Sequence, residues 1–184
     1  YDDLVDEITR NVPDLNITYT TRSFQLYAED FPAPRYAFVG AAVDGRAPGG
    51  FDAPAGSGPL VYVSLGTMLN NSAGFFRRCV EAFRGTGVRV VMSIGNSAPP
   101  GRIGPLPPTI TVRRNVPQLE VLSRASLFVT HGGMNSVNEA LYYGVPMVVV
   151  PMGNDQPTVA RRVVELGLGE ALDARSVTPA ALRG

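Results

Sequence analysis

Two hydrophobic patterns alternate between Leu60 and Leu166, and that alternation constrains the fold more than any other feature of the chain. Short, near-continuous runs of valine, isoleucine, leucine and phenylalanine occupy residues 60–66, 87–95, 110–114, 126–131 and 146–150. Between them lie stretches with apolar residues at helical spacing: 72–83, where Phe75, Phe76, Val80 and Phe83 share a face, then 117–123, 135–143 and 157–166, the last closed by Gly167. Strands that are apolar along their whole length are buried on both faces. Alternation with helices then predicts an α/β fold, a Rossmann-like parallel sheet with helices on both sides. Open sheets of this kind bind ligands beyond the C-terminal ends of their strands. Those ends carry Gly66-Thr67, Gly95-Asn96, His131-Gly132 and Asn154-Asp155.

The remaining sequence bounds the function classes. Of the 184 residues, 45% are hydrophobic, enough for a packed core, and the formal net charge is zero. No basic patch suits nucleic acid, no polybasic run suits a membrane surface, and no stretch approaches the roughly 20 apolar residues of a membrane span. Cys79, the single cysteine, lies at helical spacing in FFRRCVEAF and reads as a core thiol. With no partner for a disulfide, a reducing cytoplasm is expected. Every one of the 16 basic residues is arginine, a bias that suggests a high-GC bacterial source. Residues 1–10 suit a turn or two of helix, 17–24 an extended segment, and the prolines of 31–43 prevent a helix. The Gly-, Pro- and Ala-rich run 44–58 reads as a linker, with a domain boundary near Gly58. Thr178 and Pro179 resemble the cap and first position of a further helix, and both ends of the chain look like cuts in a longer protein.

The stretch FVTHGGMNSVNEALYYGVPMVVVP, from Phe128 to Pro151, carries the chemistry. Its turn places His131, Gly132, Gly133, Asn135 and Ser136 where a helix begins. A helix start presents unpaired N–H groups and the positive end of a dipole, and glycine lets an anion approach the backbone closely. A diphosphate cradle is the expectation. Asn135 and Ser136 serve equally well as helix caps, a reading that uses the same geometry. Gly66 and Thr67, after the first strand, add close approach and a hydroxyl donor, or form an ordinary strand-to-helix turn. Asp155 and Gln156, a carboxylate beside an amide, suit vicinal sugar hydroxyls, or an Asx turn before the last helix. No Asp-x-Asp-type cluster sits at a strand end, so no divalent metal site is expected.

Taken in order, VYVSLGT, NVPQLEVL, THGGMNSVNEAL and GVPMVVVPMGNDQ resemble the donor-binding, C-terminal half of nucleotide-sugar glycosyltransferases of the GT-B fold, the bacterial macrolide and flavonoid enzymes related to UDP-glycosyltransferases. The likeness runs over residues 60–169. TTRSFQLYAEDFPAPRYAFVG before the linker resembles the end of such an enzyme's N-terminal, acceptor-binding domain, so the resemblance implies 1–43 as its tail, 44–58 as linker and 59–184 as a donor domain cut short. It further implies diphosphate contacts at Gly66, Thr67, His131, Gly133, Asn135 and Ser136. The base and ribose fall to Val116, Gln118 and Glu139, and the donor hexose to Asp155 and Gln156. Asn115 departs from the pattern, since many relatives carry a tryptophan there to stack on the base. The implied reaction is inverting transfer of a hexose from a UDP-sugar to a hydroxyl of a small natural product, with no metal or other cofactor. The histidine base and most of the acceptor pocket belong to the N-terminal domain, because His131 is the sole histidine here. A dTDP-deoxysugar transferase, a non-catalytic donor-binding subunit of a split enzyme and, more distantly, a nucleotide-sugar epimerase are the alternatives. Glu139 argues against the first, because deoxyribose lacks the 2′-hydroxyl that it would hold.

Overall fold

The computed structural model describes residues 13–43, 49–66, 73–96 and 100–183. The helix expected over 1–10, the first residues of the expected linker, Thr67 and Ser72 lie outside the described residues. The chain divides into two compact units, Tyr1–Ala42 and Val43–Gly184.

The first unit holds two short parallel strands, β1 (Asn16–Thr18) and β2 (Tyr36–Phe38), with Ile17 opposite Ala37. The extended segment expected over 17–24 is shorter than that: after Thr18 the chain turns, and the Thr21 carbonyl accepts from the N–H groups of Phe24 and Gln25. Arg22 causes much of this local order. Its guanidinium donates to the carbonyls of Ala28 and Phe31, at 2.7 and 2.6 Å, and lies 4.9 Å over the Phe38 ring.

The second unit is a six-stranded, wholly parallel sheet in the order β5-β4-β3-β6-β7-β8. Its strands are β3 (Leu60–Ser64), β4 (Arg89–Ser93), β5 (Ile110–Arg113), β6 (Leu127–Thr130), β7 (Met147–Val149) and β8 (Gly169–Ala171). The helices are α1 (Ala73–Phe83), α2 (Gln118–Leu122), α3 (Met134–Tyr142) and α4 (Gln156–Glu165). All of β3 is buried, as its unbroken apolar run requires of a central strand covered on both faces. Val61, Val63 and Leu65 join Phe75, Phe76, Cys79, Val80 and Phe83 of α1 in the main core. Tyr62, of opposite parity, stacks its ring on Phe128 of β6 at 4.7 Å. Cys79 is fully buried, and burial pushes its thiol up to about 12, so it is a packing residue.

Strand β8 is absent from the sequence-based reading. GEA has no apolar run, and it pairs as an edge strand, Gly169 opposite Met147. Glycine is required there, because a Cβ on Gly169 would fall on the Met147 carbonyl. Residues 49–58, read as linker, run along the second unit. Phe51 N–H donates to Glu120 at 3.1 Å, Ala55 N–H to the Pro108 carbonyl, and Arg89 Nε to the Gly58 carbonyl. Thr178 Oγ1 accepts from Ala181 N–H at 3.1 Å, as a cap would, but residues 179–183 form turns and not the further helix expected there. No helix among the described residues is long and apolar enough to cross a membrane.

Candidate functional site

The chain leaves β3 toward β4 and β5 on one side, then returns to β6 on the other, so β3 and β6 bracket a switch in strand order. A cleft of about 560 Å³ opens where their C-terminal ends diverge. Its walls come from Tyr62 and Ser64 of β3 with Leu65 and Gly66 after it, Ser93 at the end of β4, Asn115 and Val116 between β5 and α2, Gln118 at the start of α2, His131 after β6, the start of α3 and the start of α4. Of the residues singled out from sequence, Gly66, Val116, Gln118, His131, Gly133, Asn135, Ser136, Asp155 and Gln156 line this one cleft. Glu139 lies behind the wall, 4% exposed, and Thr67 is outside the described residues.

His131 is held between two glycines. A Cβ on Gly133 would stand 2.6 Å from its Nε2, and one on Gly66 would stand 2.9 Å from it. Gly66 also has φ +75°, a conformation that favours glycine. Burial pulls the His131 pKa below its ordinary value, partly offset by the Asp155 carboxylate and the Ser64 carbonyl. The ring is therefore held neutral at neutral pH and works as a hydrogen-bonding group rather than as a fixed cation. Its buried Nδ1 makes no well-formed hydrogen bond.

Gly133 is the N-cap of α3 and brings no side chain to cap it. Asn135 and Ser136 stand in the first turn rather than at the cap, so capping does not explain them. The first-turn N–H groups have no carbonyl partner within the helix and open beside His131. Asp155 occupies the cap of α4 without a side-chain capping bond, so the Asx-turn reading also fails. Its exposed carboxylate stays on the cleft wall. Gln156 behaves differently. It is buried, and its carbonyl oxygen accepts from Met152 N–H at 2.8 Å and Gly153 N–H at 3.2 Å, bracing a loop in which Asn154 takes φ +55°.

From the cleft wall inward runs a chain of polar groups, Gln118 and Ser136 half-buried and Tyr62 and Glu139 buried. Tyr62 O–H donates to Gln118 Oε1 at 3.0 Å, and Gln118 Nε2 donates to Ser136 Oγ at 3.1 Å and to Glu139 Oε2 at 2.6 Å. Burial above all pushes the Tyr62 phenol up to about 12, with the Glu139 charge adding and the neighbouring Ser64 and Ser93 hydroxyls opposing. Tyr62, Ser64 and Ser93 escaped the sequence reading, while Asn154, placed at a strand end from sequence, lines the cleft. A signal existed for the serines: β3 and β4 end in the matching strings VSLG and MSIG, and Ser64 pairs with Ser93 in the parallel register. Among the described residues no three His, Cys, Asp or Glu side chains converge as a metal site would require.

This geometry has close counterparts. An uncharacterized UDP-glucosyltransferase of Bacillus subtilis, YojK, is 42% identical over 92% of this chain and 42% of its own length. The solved glycotransferase of kitacinnamycin matches with a TM-score of 0.86 and 42% identity, covering 94% of this chain and 45% of that one. The glycosyltransferase VinC, solved with dTDP, matches at a TM-score of 0.58 and 27% identity over 70% of this chain and 32% of its own. The chain thus spans less than half the length of these relatives, and the sheet it forms is that of the C-terminal half of a GT-B glycosyltransferase. The family profile described as UDP-glucoronosyl and UDP-glucosyl transferase matches residues 46–184, and with the cleft, the switch point and these likenesses together the chain belongs to that glycosyltransferase family.

Proposed function

We propose that residues 59–184 form the donor-binding part of an inverting, metal-independent glycosyltransferase that moves a hexose from a UDP-sugar to a hydroxyl of a small natural product. The observation that carries this reading is His131, wedged between Gly66 and Gly133 beside the open start of α3. Ring, N–H groups and helix dipole converge on one point where a diphosphate would sit. The acceptor oxygen attacks the anomeric carbon, the bond to the diphosphate oxygen breaks, and the electron pair goes to the diphosphate. The acceptor proton goes to a base in the N-terminal half, whose tail is residues 1–43. Charge growing on the leaving diphosphate is met by His131, Asn135, Ser136 and the helix dipole in place of a cation. Val116, Gln118 and Glu139 serve base and ribose, and Asp155 with the Gln156 amide serves the hexose. By itself this part binds the donor and transfers nothing.

Titration calorimetry tests the reading. UDP is expected to bind at least about tenfold more tightly than uridine, because one charge-assisted hydrogen bond contributes roughly 1.5–3 kcal/mol. Equal affinities would remove the cradle. A dTDP-sugar donor is the second reading, favoured by the dTDP held by VinC, and tighter binding of dTDP than of UDP would select it. For the sugar, UDP-glucose is expected to outperform a 4-deoxy analogue in kcat/KM in the full-length enzyme, and Asp155→Ala to shrink that preference. A site built to hydrogen-bond a hydroxyl rejects the analogue that lacks it. Undiminished discrimination by the variant would take the sugar away from Asp155.

A further inference from the structure

Of the groups that meet beneath the cleft, Tyr62 is the one with no part in the reading above. It is 1% exposed, and its ring is fixed by the stack on Phe128. Its hydroxyl lies beside those of Ser64 and Ser93 and stands 3.0 Å from Gln118 Oε1. Chemistry fixes the orientation of every link. A carboxylate only accepts, so the nitrogen of the Gln118 amide must face Glu139, its carbonyl must face Tyr62, and the phenol must donate. The same nitrogen donates to Ser136 Oγ, and a hydroxyl whose oxygen accepts from below is left to donate its own hydrogen elsewhere. Ser136 lines the cleft. Both amide hydrogens of Gln118 are thus engaged by protein, and its service to the ribose runs through Glu139.

We propose that Tyr62 is a positioning residue for nucleotide recognition: its hydroxyl locks the Gln118 amide, which holds the Glu139 carboxylate for the ribose hydroxyls. The inference rests on the donor-binding reading of the cleft.

The test is titration calorimetry with UDP and 2′-deoxy-UDP on the parent chain, Tyr62→Phe, Gln118→Leu and the double variant, each checked by thermal unfolding. Phenylalanine keeps the stack on Phe128 and removes only the donor. Tyr62→Phe is expected to raise the Kd for UDP about five- to twentyfold, and that for 2′-deoxy-UDP less than about threefold, so the ribose preference collapses. A merely structural role would weaken both nucleotides alike. The double variant is expected to match Gln118→Leu, since Tyr62 acts through Gln118. An unchanged preference in Tyr62→Phe, or additive losses in the double variant, overturns the proposal. So does an unchanged preference in Gln118→Leu, which decides the matter if Tyr62→Phe does not fold. A parent chain that binds both nucleotides equally overturns this proposal and spares the diphosphate cradle; one that binds neither overturns both.

Discussion

His131→Ala in the full-length enzyme is expected to lower kcat by about ten- to a thousandfold, while the donor KM moves far less. The asymmetry follows from where the charge is. In the ground state the diphosphate charge is shared with the sugar it carries, and as the glycosidic bond breaks it gathers on the leaving oxygen. A contact made at that oxygen therefore strengthens toward the transition state and appears in kcat. A ring held neutral by burial still carries one N–H, which is the donor this contact needs. Steady-state kinetics at saturating acceptor would show the split. An unchanged kcat in a variant that melts like the parent would return His131 to a structural role.

Gly133→Ala is expected to weaken UDP binding by about a hundredfold, the loss of two charge-assisted contacts at roughly 1.5 kcal/mol each. The backbone is not the reason. Gly133 sits at φ −64°, ψ 132°, which alanine adopts freely, so folding should lose about 1 kcal/mol for the poorer cap and a few degrees in Tm. The reason is the methyl group, 2.6 Å from His131 Nε2, with Gly66 already against the ring. The imidazole must leave its place. Calorimetry and a thermal scan on the same sample separate the two effects, and unchanged UDP affinity would mean that the glycine does not position the ring.

What could be read from the residues depended on whether a signal was local. Strands β3 to β7 are apolar runs, and burial on both faces demands such runs, so each was legible. Strand β8 was not, because an edge strand of Gly-Glu-Ala is placed by the Met147 backbone it pairs with and not by its own side chains. His131, Gly133 and Asp155 announced themselves as polar or flexible residues at element junctions. Tyr62 did not, because in sequence it is one more large residue in a buried strand, and its hydroxyl acquires meaning only when α2 brings Gln118 against it. Gln156 was legible as a cleft residue, but the bonds from Met152 and Gly153 that occupy its oxygen come from the shape of the loop.

The strand order has a kinetic consequence. No two neighbours in the sheet of the second unit are joined by a hairpin, since every pairing is parallel. Each adjacency closes a long segment of chain before its contacts repay the lost entropy, and β3 meets β6 only after the whole of α1, β4, β5 and α2 has been looped out between them. The cleft lies at that seam, the pairing of this sheet with the longest separation in sequence, so the nucleotide site exists only once that pairing is made. The ligand then acts as a latch on the completed structure. At a hundred times its Kd it deepens the native basin by about 2.7 kcal/mol and slows escape from it, while leaving the slow search that precedes it unaided.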